Sequence, residues 1–364
     1  MKLLKAVILS GGFGTRLRPL SCTRPKTLFP IVNKPLLQWI LERLADSNVK
    51  EAILAVNKQT EFYIRQNRVP RAGLKVKYSH DPPLTPLGTA GPIKKAEKLI
   101  GQDEPFLVLN GDIFTDFSYR EMIRNHHEGK SVATIALYKV EDPSRYGVAD
   151  MEVDGRIRKF VEKPAKGKAP TSLINAGLYV LSPAIFELIP SGKAVSMERE
   201  IFPRLAEEGT LFGHIVKGLW KDIGKPEEYL QTNKLILSNL SMKRNKSSKT
   251  YQTVAPIALD KKVSVGEGSI IGPYAILGKN VSVGKNVKIR DSVIFPNTTI
   301  GDYASIQGAI IGEGAAIGKN SQINNGCVIG DQAKLKDGIF VAERTWVCPG
   351  KEITESILKS TTIC

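Results

Sequence analysis

The sequence predicts an α/β domain with a mostly parallel sheet, followed by a second domain that is a parallel β-helix. Short β-branched runs alternate with helical patterns up to about residue 235, and a six-residue repeat runs from Leu259 to Ile353. Between them lies a polar, basic and serine-rich stretch. A chain of 364 residues is long enough for two domains with sizeable cores. We therefore predict a first domain over residues 1–240, a linker over 241–256 and the β-helix over 257–364.

The first domain shows the strand–helix alternation of a parallel sheet that is covered by helices on both faces. The predicted strands are Lys5–Leu9, Ala52–Val56, Lys75–Tyr78, Phe106–Leu109, Val132–Val140 and Leu178–Leu181. The clearest helical patterns are Leu36–Leu44 and Ile93–Leu99. In such a sheet, ligands bind at the carboxyl ends of the parallel strands.

The second domain carries an apolar residue at every sixth position, interrupted by two five-residue steps. These residues are Leu259, Val265, Ile271, Leu277, Val283, Ile289, Phe295, Ile300, Ile306, Ile311, Ile317, Ile323, Ile329, Leu335, Val341, Val347 and Ile353. A repeat of six predicts a parallel β-helix in which each hexad forms one short face of a coil and its apolar residue points inward. Glycine often follows directly, as at Gly266, Gly272 and Gly278, and we attribute it to backbone angles that other residues resist.

The composition favours a partner that carries negative charge. The formal net charge is +16 at pH 7, although the lysines are scattered singly and many of them fit an ordinary solvated surface. No recognised motif interleaves basic and aromatic residues, so nucleic acid is not expected as a partner. No apolar stretch approaches the roughly 18 residues that span a bilayer, so a membrane is not expected as a partner either.

The cysteines and histidines show no pattern of a metal site. Cys22, Cys327, Cys348 and Cys364 lie far apart, and none of their spacings matches a zinc or redox motif. Reduced thiols in a cytoplasmic protein are the simplest expectation. The four histidines lack metal-ligand spacing as well, and we expect them to be surface residues or to be satisfied by hydrogen bonds.

The most informative segment is LSGGFGTRLRPLSCTRPKTLFP, residues 9–30. A glycine-rich turn after a first strand usually holds phosphate, because backbone N–H groups approach closely where no Cβ intervenes. The segment is neither a Walker loop nor a dinucleotide fingerprint, since Leu17 occupies the place of the third glycine. Its cations are Arg16, Arg18, Arg24 and Lys26. They would repel one another unless an anion neutralised them, although an ordinary turn with solvated arginines stays open as an alternative.

This segment and the motifs behind it resemble the signature of the sugar nucleotidyltransferases, the nucleoside-diphosphate-sugar pyrophosphorylases. The motifs are LGTAGP (87–92), LNGD (109–112), YGV (146–148), FVEKP (160–164), INAGLYVLS (174–182) and WKDIGKP (220–226). Their order and approximate spacing match the family over residues 1–235, and the hexads match the subset with a C-terminal left-handed β-helix. The resemblance implies a Rossmann-like catalytic domain that joins a nucleoside triphosphate to a sugar 1-phosphate and releases pyrophosphate.

The resemblance also implies which residues carry the chemistry. Both reactants are anions, so catalysis depends mainly on positioning and on neutralising charge. Arg16 would stabilise the leaving pyrophosphate, Lys26 would bind the phosphate being transferred, and Lys163 would pair with the sugar phosphate. Asp112 and Asp222 would hold Mg²⁺, a hard cation that takes few carboxylates and several phosphate oxygens. Taken alone, an aspartate after a strand is equally well explained as a turn residue.

Two further sets of residues are implied as binding residues. The nucleotide would contact Leu9, Ser10, Gly11, Gly12, Gly14, Thr15, Arg16, Lys26, Gly88, Thr89, Asn110 and Gly111. The sugar phosphate would contact Gly147, Glu162, Lys163, Asn175 and Asp222. Without the resemblance, the Glu162–Lys163 pair would be interpreted as solvated residues in a turn before Pro164.

The substrates and the role of the second domain stay less defined. The run SMEREIFPRLAEEG, followed by WKDIG, most resembles family members that use GTP and mannose 1-phosphate. The phosphate machinery is shared, so dTTP, UTP or ATP with glucose 1-phosphate stay open, as does a catalytically silent regulatory subunit. No histidine follows His214, so a second, acetyltransferase activity is not expected in the β-helix. Its flat, partly apolar faces predict a role in homo-oligomer assembly.

Overall fold

The computed structural model describes residues 4–12, 14–82, 86–128, 131–240 and 250–364, which form two compact units. The first unit contains the described residues up to Gly12 together with residues 36–221, and the second contains residues 14–35 and 222–364. The chain therefore enters the second unit twice. Most of the predicted linker, residues 241–249, lies outside the described residues.

The first unit contains a nine-stranded mixed sheet. Seven strands follow one another in the order Ile157–Glu162, Gly147–Met151, Leu173–Leu181, Phe106–Asn110, Lys5–Leu9, Glu51–Val56 and Lys75–His80. Two further strands, Ala133–Lys139 and Leu211–Ile215, pair in parallel, and the former also pairs with Leu173–Leu181. The four strands from Phe106–Asn110 to Lys75–His80 are parallel. The predicted α/β fold class is confirmed, with antiparallel strands added on one side of the parallel ones.

The helices of the first unit are short. They are Leu36–Asp46, Lys58–Gln66, Gly91–Lys95, Glu97–Ile100, Arg120–Glu128, Ile185–Leu188 and Phe202–Glu207, with a π-helix at Met197–Ile201. The helical pattern over Ile93–Leu99 is found as two short helices, Gly91–Lys95 and Glu97–Ile100, which meet at Ala96. All six predicted strands are present. The strands Gly147–Met151, Ile157–Glu162 and Leu211–Ile215 were not predicted, since their half-exposed residues do not form a clear apolar run.

The core of the first unit lies against the parallel strands. Every residue of Glu51–Val56 is buried, as expected for a strand covered on both faces. Val7, Ile53, Val108 and Tyr179 have no exposed side-chain surface and belong to one apolar cluster. This packed layer fixes the strand ends from which the candidate site is built.

The second unit is a β-helix of three parallel sheets, and the described residues contribute six, seven and six strands to them. The first sheet contains Gln252–Thr253, Ile270–Ile271, Lys288–Arg290, Ser305–Gln307, Gln322–Ile323 and Phe340–Val341. The second contains Ile257–Leu259, Ala275–Leu277, Val293–Ile294, Ile310–Ile311, Val328–Ile329, Trp346–Val347 and Thr362–Ile363. The third contains Ser264–Val265, Ser282–Val283, Thr299–Ile300, Ala316–Ile317, Lys334–Leu335 and Glu352–Ile353. The unit also includes the helix Pro226–Leu240 and the short strand pair Pro30–Ile31 with Lys34–Pro35. The predicted β-helix is confirmed.

Most of the predicted inward positions are correct. From Ile271 to Ile353 the hexad residues are buried. The prediction for Leu259 is wrong, because this side chain is 37% exposed. Among the described residues its strand, Ile257–Leu259, lies at the end of its sheet and pairs only with the following coil, so no described strand covers the other side of Leu259. Ile257 of the same strand packs against the core instead.

Phe295 also departs from the predicted repeat. Strand pairing aligns Leu277 with Ile294, so Ile294 occupies the inward position and the five-residue step lies between Ile289 and Ile294. Phe295 then takes the corner position that Gly278 takes one coil earlier. Its ring lies near that of Phe29, with 6.4 Å between centroids, rather than in the apolar core of the β-helix.

Most of the glycines that follow the hexad residues serve a different purpose from the predicted one, although Gly272, with a φ of 104°, has the kind of backbone angle that was predicted. Gly266, Gly278 and Gly318 do not have positive φ, but a Cβ on each would lie 2.4–2.7 Å from backbone atoms of the next coil. They are glycine because successive coils approach closely. Other positive φ angles occur in the corners at residues such as Asn280 (60°) and Asn320 (56°).

Two cysteines form a disulfide, so the expectation of four reduced thiols is wrong for this pair. Cys348 and Cys364 are bonded, with 4.8 Å between their Cα atoms. The parallel pairing of Val347 with Ile363 places the two cysteines side by side on neighbouring coils. Sequence spacing alone gives no sign of this, since the contact depends on the stacking of the coils.

Among the described helices, none is long and apolar enough to cross a membrane.

Candidate active site

A glycine turn at the end of the first strand forms the centre of the candidate site in the first unit. The Ser10 N–H donates to the Ala55 carbonyl (2.9 Å), and the Gly111 N–H donates to the Leu9 carbonyl (2.8 Å). A Cβ on Gly111 would lie 2.1 Å from Ser10 Oγ, and one on Gly11 would lie 2.6 Å from an oxygen of Asp81. Glycine is therefore required by close approach. The predicted nucleotide-binding residues Leu9–Gly11 and Gly111 therefore lie together at the carboxyl ends of parallel strands.

Asp81 beneath this turn is a residue that the sequence analysis missed. Its Oδ1 and the Oγ of Ser10 are buried without a hydrogen-bond partner among the described residues. Burial raises the pKa of Asp81 to about 6, although Lys95 and His80 act in the opposite direction. Buried acceptors normally have donors, so these two oxygens indicate a place where a ligand supplies them. The available signal was a carboxylate directly after the strand Lys75–His80, at the same sheet edge as the glycine turn.

The LGTAG motif is fixed by contacts within the protein. Gly88 has a φ of 70°, and a Cβ there would lie 2.2 Å from the Val195 carbonyl oxygen. The Thr89 hydroxyl donates to Glu198 Oε2 (2.6 Å) and accepts from the Met197 N–H (2.9 Å). Thr89 therefore anchors the start of the π-helix, and its predicted contact with the nucleoside stays a prediction.

Glu198 joins three of the motifs and was also missed. It accepts hydrogen bonds from Thr89, from Ser196 Oγ (2.9 Å) and from the Tyr179 hydroxyl (3.5 Å). Tyr179 in turn accepts from Asn175 Nδ2 (3.0 Å). Burial, with a contribution from the Glu198 charge, raises the pKa of Tyr179 well above its usual value, so the phenol stays a donor. Glu198 lies in the quoted run SMERE, but its partners are remote in sequence, so no local pattern identifies it.

Three of the predicted sugar-phosphate residues lie together. Glu162 pairs directly opposite Gly147 on the neighbouring antiparallel strand, and a Cβ on Gly147 would lie 2.9 Å from a Glu162 carboxylate oxygen. Lys163 has a left-handed backbone (φ 48°), and its Nζ lies 3.4 Å from Glu162 Oε1. The Lys163 side chain is 59% exposed, so the ion pair is weak and the ammonium is accessible to an anion. Asn175 Oδ1 accepts from the Gly177 N–H (2.8 Å).

Asp112 and Asp222 each stand at the end of a short strand. Asp112 directly precedes Ile113–Thr115, which pairs with Trp220–Asp222. Next to this pairing, the Leu219 N–H donates to Asp116 Oδ1 (2.6 Å). Within the described residues, no group of three or more histidine, cysteine or acidic side chains could hold a metal on its own. The metal pair stays a prediction, in which substrate phosphates would supply the other ligands of Mg²⁺.

In the second unit, we refer to residues 14–30 as the cationic loop. Gly14 has a φ of 61°, and its carbonyl accepts from Ser21 Oγ (2.7 Å). A Cβ on Gly14 would lie 3.1 Å from the side chain of Lys26, so the lysine stem crosses the glycine. Arg16 and Arg18 line a cavity of about 810 Å³ together with Thr15, Lys225 and the end of the β-helix. A cavity with these cations suits a phosphorylated ligand.

Arg24 has a different environment from the other cations of this loop. It lies 2.6 Å from Glu313 and 2.9 Å from Asp331, and its guanidinium lies over the Phe295 ring at 4.9 Å. Burial alone would lower the pKa of Arg24, but the charges of Asp331 and Glu313 raise it above its usual value. Arg24 therefore braces the loop.

The chain is similar to proteins of one enzyme family over nearly its whole length. Residues 5–239 match the model of the family described as nucleotidyl transferase, and residues 253–363 match the "GMPPB C-terminal domain". It is 36% identical to mannose-1-phosphate guanylyltransferase 1 of Arabidopsis thaliana, over 98% of this chain and 99% of the relative. It is 38% identical to mannose-1-phosphate guanyltransferase of Yarrowia lipolytica, with the same coverage.

Two solved structures are similar to about two thirds of the chain. HddC from Yersinia pseudotuberculosis, described as complexed with GMP-PN, has a TM-score of 0.55 and 33% identity. That similarity covers 64% of this chain and 100% of HddC. A putative glucose-1-phosphate thymidylyltransferase from Bacillus anthracis has a TM-score of 0.57 at 23% identity, which shows the fold alone.

Proposed function

The chain belongs to the nucleotidyltransferase family, and on that basis we propose that it forms GDP-mannose from GTP and mannose 1-phosphate with release of pyrophosphate. The observation that carries this proposal is the similarity to relatives named mannose-1-phosphate guanylyltransferase over 98% of the chain, β-helix included. The five proposed catalytic residues are all present: Arg16, Lys26, Asp112, Lys163 and Asp222. A catalytically silent subunit is therefore disfavoured.

The reaction is a displacement in which the mannose 1-phosphate oxygen attacks the α-phosphorus of GTP. In our proposal, Arg16 neutralises the departing pyrophosphate with its planar fork of donors, and Lys26 acts as a point charge on the phosphate being transferred. Lys163 binds the phosphate of the sugar and reduces the repulsion between the two reactants. No side-chain base is required, because the attacking phosphate is already ionised.

Nucleotidyltransferases generally use a divalent metal, and in our proposal the ion is Mg²⁺ held by Asp112 and Asp222. Bound there, Mg²⁺ would polarise the α-phosphate and neutralise charge that develops on it. The two carboxylates leave coordination positions for phosphate oxygens, as Mg²⁺ requires.

The choice of GTP is supported by Asp81. Guanine presents two adjacent donors, N1–H and the 2-amino group, and a carboxylate accepts both. Thymine and uracil present one N–H between two carbonyls, and a carboxylate would repel the two carbonyl oxygens. The unpartnered oxygens of Asp81 and Ser10 lie at the glycine turn proposed to hold the nucleotide. A site whose buried acceptors need donors discriminates strongly against a base that lacks them.

On the sugar side, the proposal assigns Glu162, Asn175 and Gly147 to the hexose. Glu162 would accept hydrogen bonds from sugar hydroxyls, and the missing side chain of Gly147 leaves room opposite it.

Homo-oligomer assembly through the β-helix and the domain boundaries 1–240, 241–256 and 257–364 also stay proposals. Light scattering coupled to size exclusion would test the assembly, with a monomer mass contradicting it.

The test of the function is pyrophosphate release from a grid of GTP, ATP, UTP and dTTP with mannose 1-phosphate and glucose 1-phosphate in Mg²⁺. We expect GTP with mannose 1-phosphate to give the highest kcat/KM by at least tenfold. A higher kcat/KM for dTTP or UTP with glucose 1-phosphate would contradict the proposal. The absence of turnover with every pair would favour the regulatory subunit.

A further inference from the structure

One edge of the β-helix is chemically distinct. Gly312 and Gly330 occupy equivalent corners of successive coils, and the residues that follow them, Glu313 and Asp331, are stacked one coil apart. The Glu313 N–H donates to Asp331 Oδ1 (2.7 Å), so the two carboxylates are held near each other. Phe295 occupies the corresponding corner one coil earlier. We call Phe295, Glu313 and Asp331 the acidic edge.

Arg24 of the cationic loop is the counter-ion of this edge. A single guanidinium nitrogen of Arg24 contacts both carboxylates, at 2.6 Å from Glu313 and 2.9 Å from Asp331. The neighbouring Thr23 hydroxyl donates to the same Asp331 oxygen (2.6 Å). The Arg24 side chain is 15% exposed and Asp331 is 8% exposed, so solvent screens the pair weakly. Stacked carboxylates would repel each other without this cation.

The rest of the loop is attached to the same unit at successive points. The Phe29 ring contacts Phe295 and Tyr229, with centroids 6.4 and 5.8 Å away. The Tyr229 hydroxyl donates to the Pro30 carbonyl (2.5 Å). Just beyond the loop, Asn33 Nδ2 donates to a carbonyl of the β-helix, that of Leu277 (3.0 Å). Phe295 and a carbonyl of the β-helix, together with Tyr229 of the helix Pro226–Leu240, therefore hold this end of the loop.

From these contacts we propose that Arg24 is a positioning residue, which fixes the cationic loop to the acidic edge so that Arg16 and Lys26 are held for the reaction. Lys26 follows Arg24 by two residues, and its stem crosses Gly14. The Ser21–Gly14 hydrogen bond joins two points of the loop on either side of Arg16. Displacement of Arg24 therefore moves both phosphate-binding cations. The β-helix then serves catalysis directly, and this inference rests on the proposed function.

The experiment compares Arg24→Ala, Arg24→Lys and Glu313→Gln with the control Arg204→Ala in the full-length protein. Arg204 forms an exposed helix ion pair with Glu208 in the first unit. For Arg24→Ala we expect kcat/KM for GTP to fall at least tenfold through both a higher KM and a lower kcat. Arg24→Lys should recover part of this loss, Glu313→Gln should lose a few-fold, and the control should change less than twofold.

Hydrogen exchange of the ligand-free proteins gives a second readout that does not depend on activity. Arg24→Ala should speed exchange in residues 14–30 at least tenfold and leave the strand Lys5–Leu9 unchanged. If Arg24→Ala fails to fold, Glu313→Gln carries the same test, because the Glu313 side chain is 37% exposed and its loss leaves the buried Asp331 pair intact. Exchange in the loop that equals that of wild type would overturn the proposal.

The two proposals fail in different ways. If wild type turns over a different nucleotide and sugar phosphate, the proposed substrates are wrong, while loss of turnover of that pair in Arg24→Ala still supports positioning. If wild type turns over no pair, the proposed function is wrong, and loop exchange alone decides the positioning. Wild-type activity with unchanged kcat/KM in Arg24→Ala would overturn the positioning and leave the function standing.

Discussion

The Thr89 hydroxyl donates to Glu198 across 109 residues of sequence, at a distance of 2.6 Å. This bond ties the LGTAG motif to the π-helix, and through Tyr179 it reaches Asn175. The network thus connects a motif assigned to the nucleotide with a residue assigned to the sugar. Its physical consequence is that the two parts of the candidate site are not positioned independently.

Thr89→Val tests this network. Removing the hydroxyl leaves the Met197 N–H and the Glu198 carboxylate each short of a partner, and a hydrogen bond to a charged group is worth about 1.5–3 kcal/mol. We expect kcat/KM to fall by roughly tenfold or more, with KM rising for both substrates. Thr210→Val, which loses a long hydroxyl bond to the Leu205 carbonyl, is the matched control. An equal fall in both variants would show that the Thr89 network has no special role.

Strand positions and the β-helix were predictable from the sequence because they depend on local periodicity. The register at Phe295 was not predictable, because the five-residue step of the repeat can be placed before or after this residue. Only strand pairing, which aligns Leu277 with Ile294, decides between the two positions. The partners of Arg24 were equally hidden, because a contact across 307 residues leaves no local pattern. The role of Asp81 depends on burial beneath Gly11, which only the packed sheet creates.

The close stacking of coils predicts the effect of Gly318→Ala. A Cβ at this position would lie 2.4 Å from the Lys336 carbonyl, a backbone atom that moves only if the coils separate. Such overpacking costs about 1–3 kcal/mol, so we expect a lower midpoint in urea unfolding. Asn320→Gly, at a neighbouring corner with a φ of 56°, should change stability by less than about 0.5 kcal/mol. A tolerated alanine at 318 would refute the explanation of the corner glycines.

Asp222→Asn tests the proposed metal pair. The amide keeps the size of the side chain but removes the charge that binds Mg²⁺, so we expect a normal thermal midpoint and turnover reduced at least a hundredfold, about 2.7 kcal/mol in the barrier. Raising the Mg²⁺ concentration should restore part of the activity in Asp112→Asn or Asp222→Asn. Full activity of Asp222→Asn at low Mg²⁺ would remove this residue from the metal site.

His126 predicts an acid-dependent loss of stability. The ring is buried among Thr134, Ser131 and Ser182, and burial, with a smaller effect of His127, lowers its pKa to about 4. The unfolded chain binds a proton near pH 6.5, so stability is full above pH 6.5 and decreases as the pH falls towards 4. Urea unfolding of wild type and His126→Gln should show a smaller decrease in the variant. Identical pH dependence would assign the loss to other groups.

The protonation of Asp81 predicts how GTP binding depends on pH. A protonated carboxyl cannot accept both guanine donors, so we expect KM for GTP to rise as the pH falls through about 6, the pKa to which burial raises Asp81.

The same carboxylate should also lower stability. Because the folded state holds this proton more tightly than the unfolded chain, stability decreases as the pH rises from about 4 to about 6. Asp81→Asn should therefore lose discrimination between GTP and UTP, yet unfold at a higher temperature than wild type at pH 7.5. The temperature gain should shrink towards pH 4, whereas the exposed control Asp103→Asn should match wild type throughout. If Asp81→Asn keeps its preference for GTP, guanine is recognised by other groups, and if it gains no stability at pH 7.5, the burial cost assigned to this carboxylate is wrong.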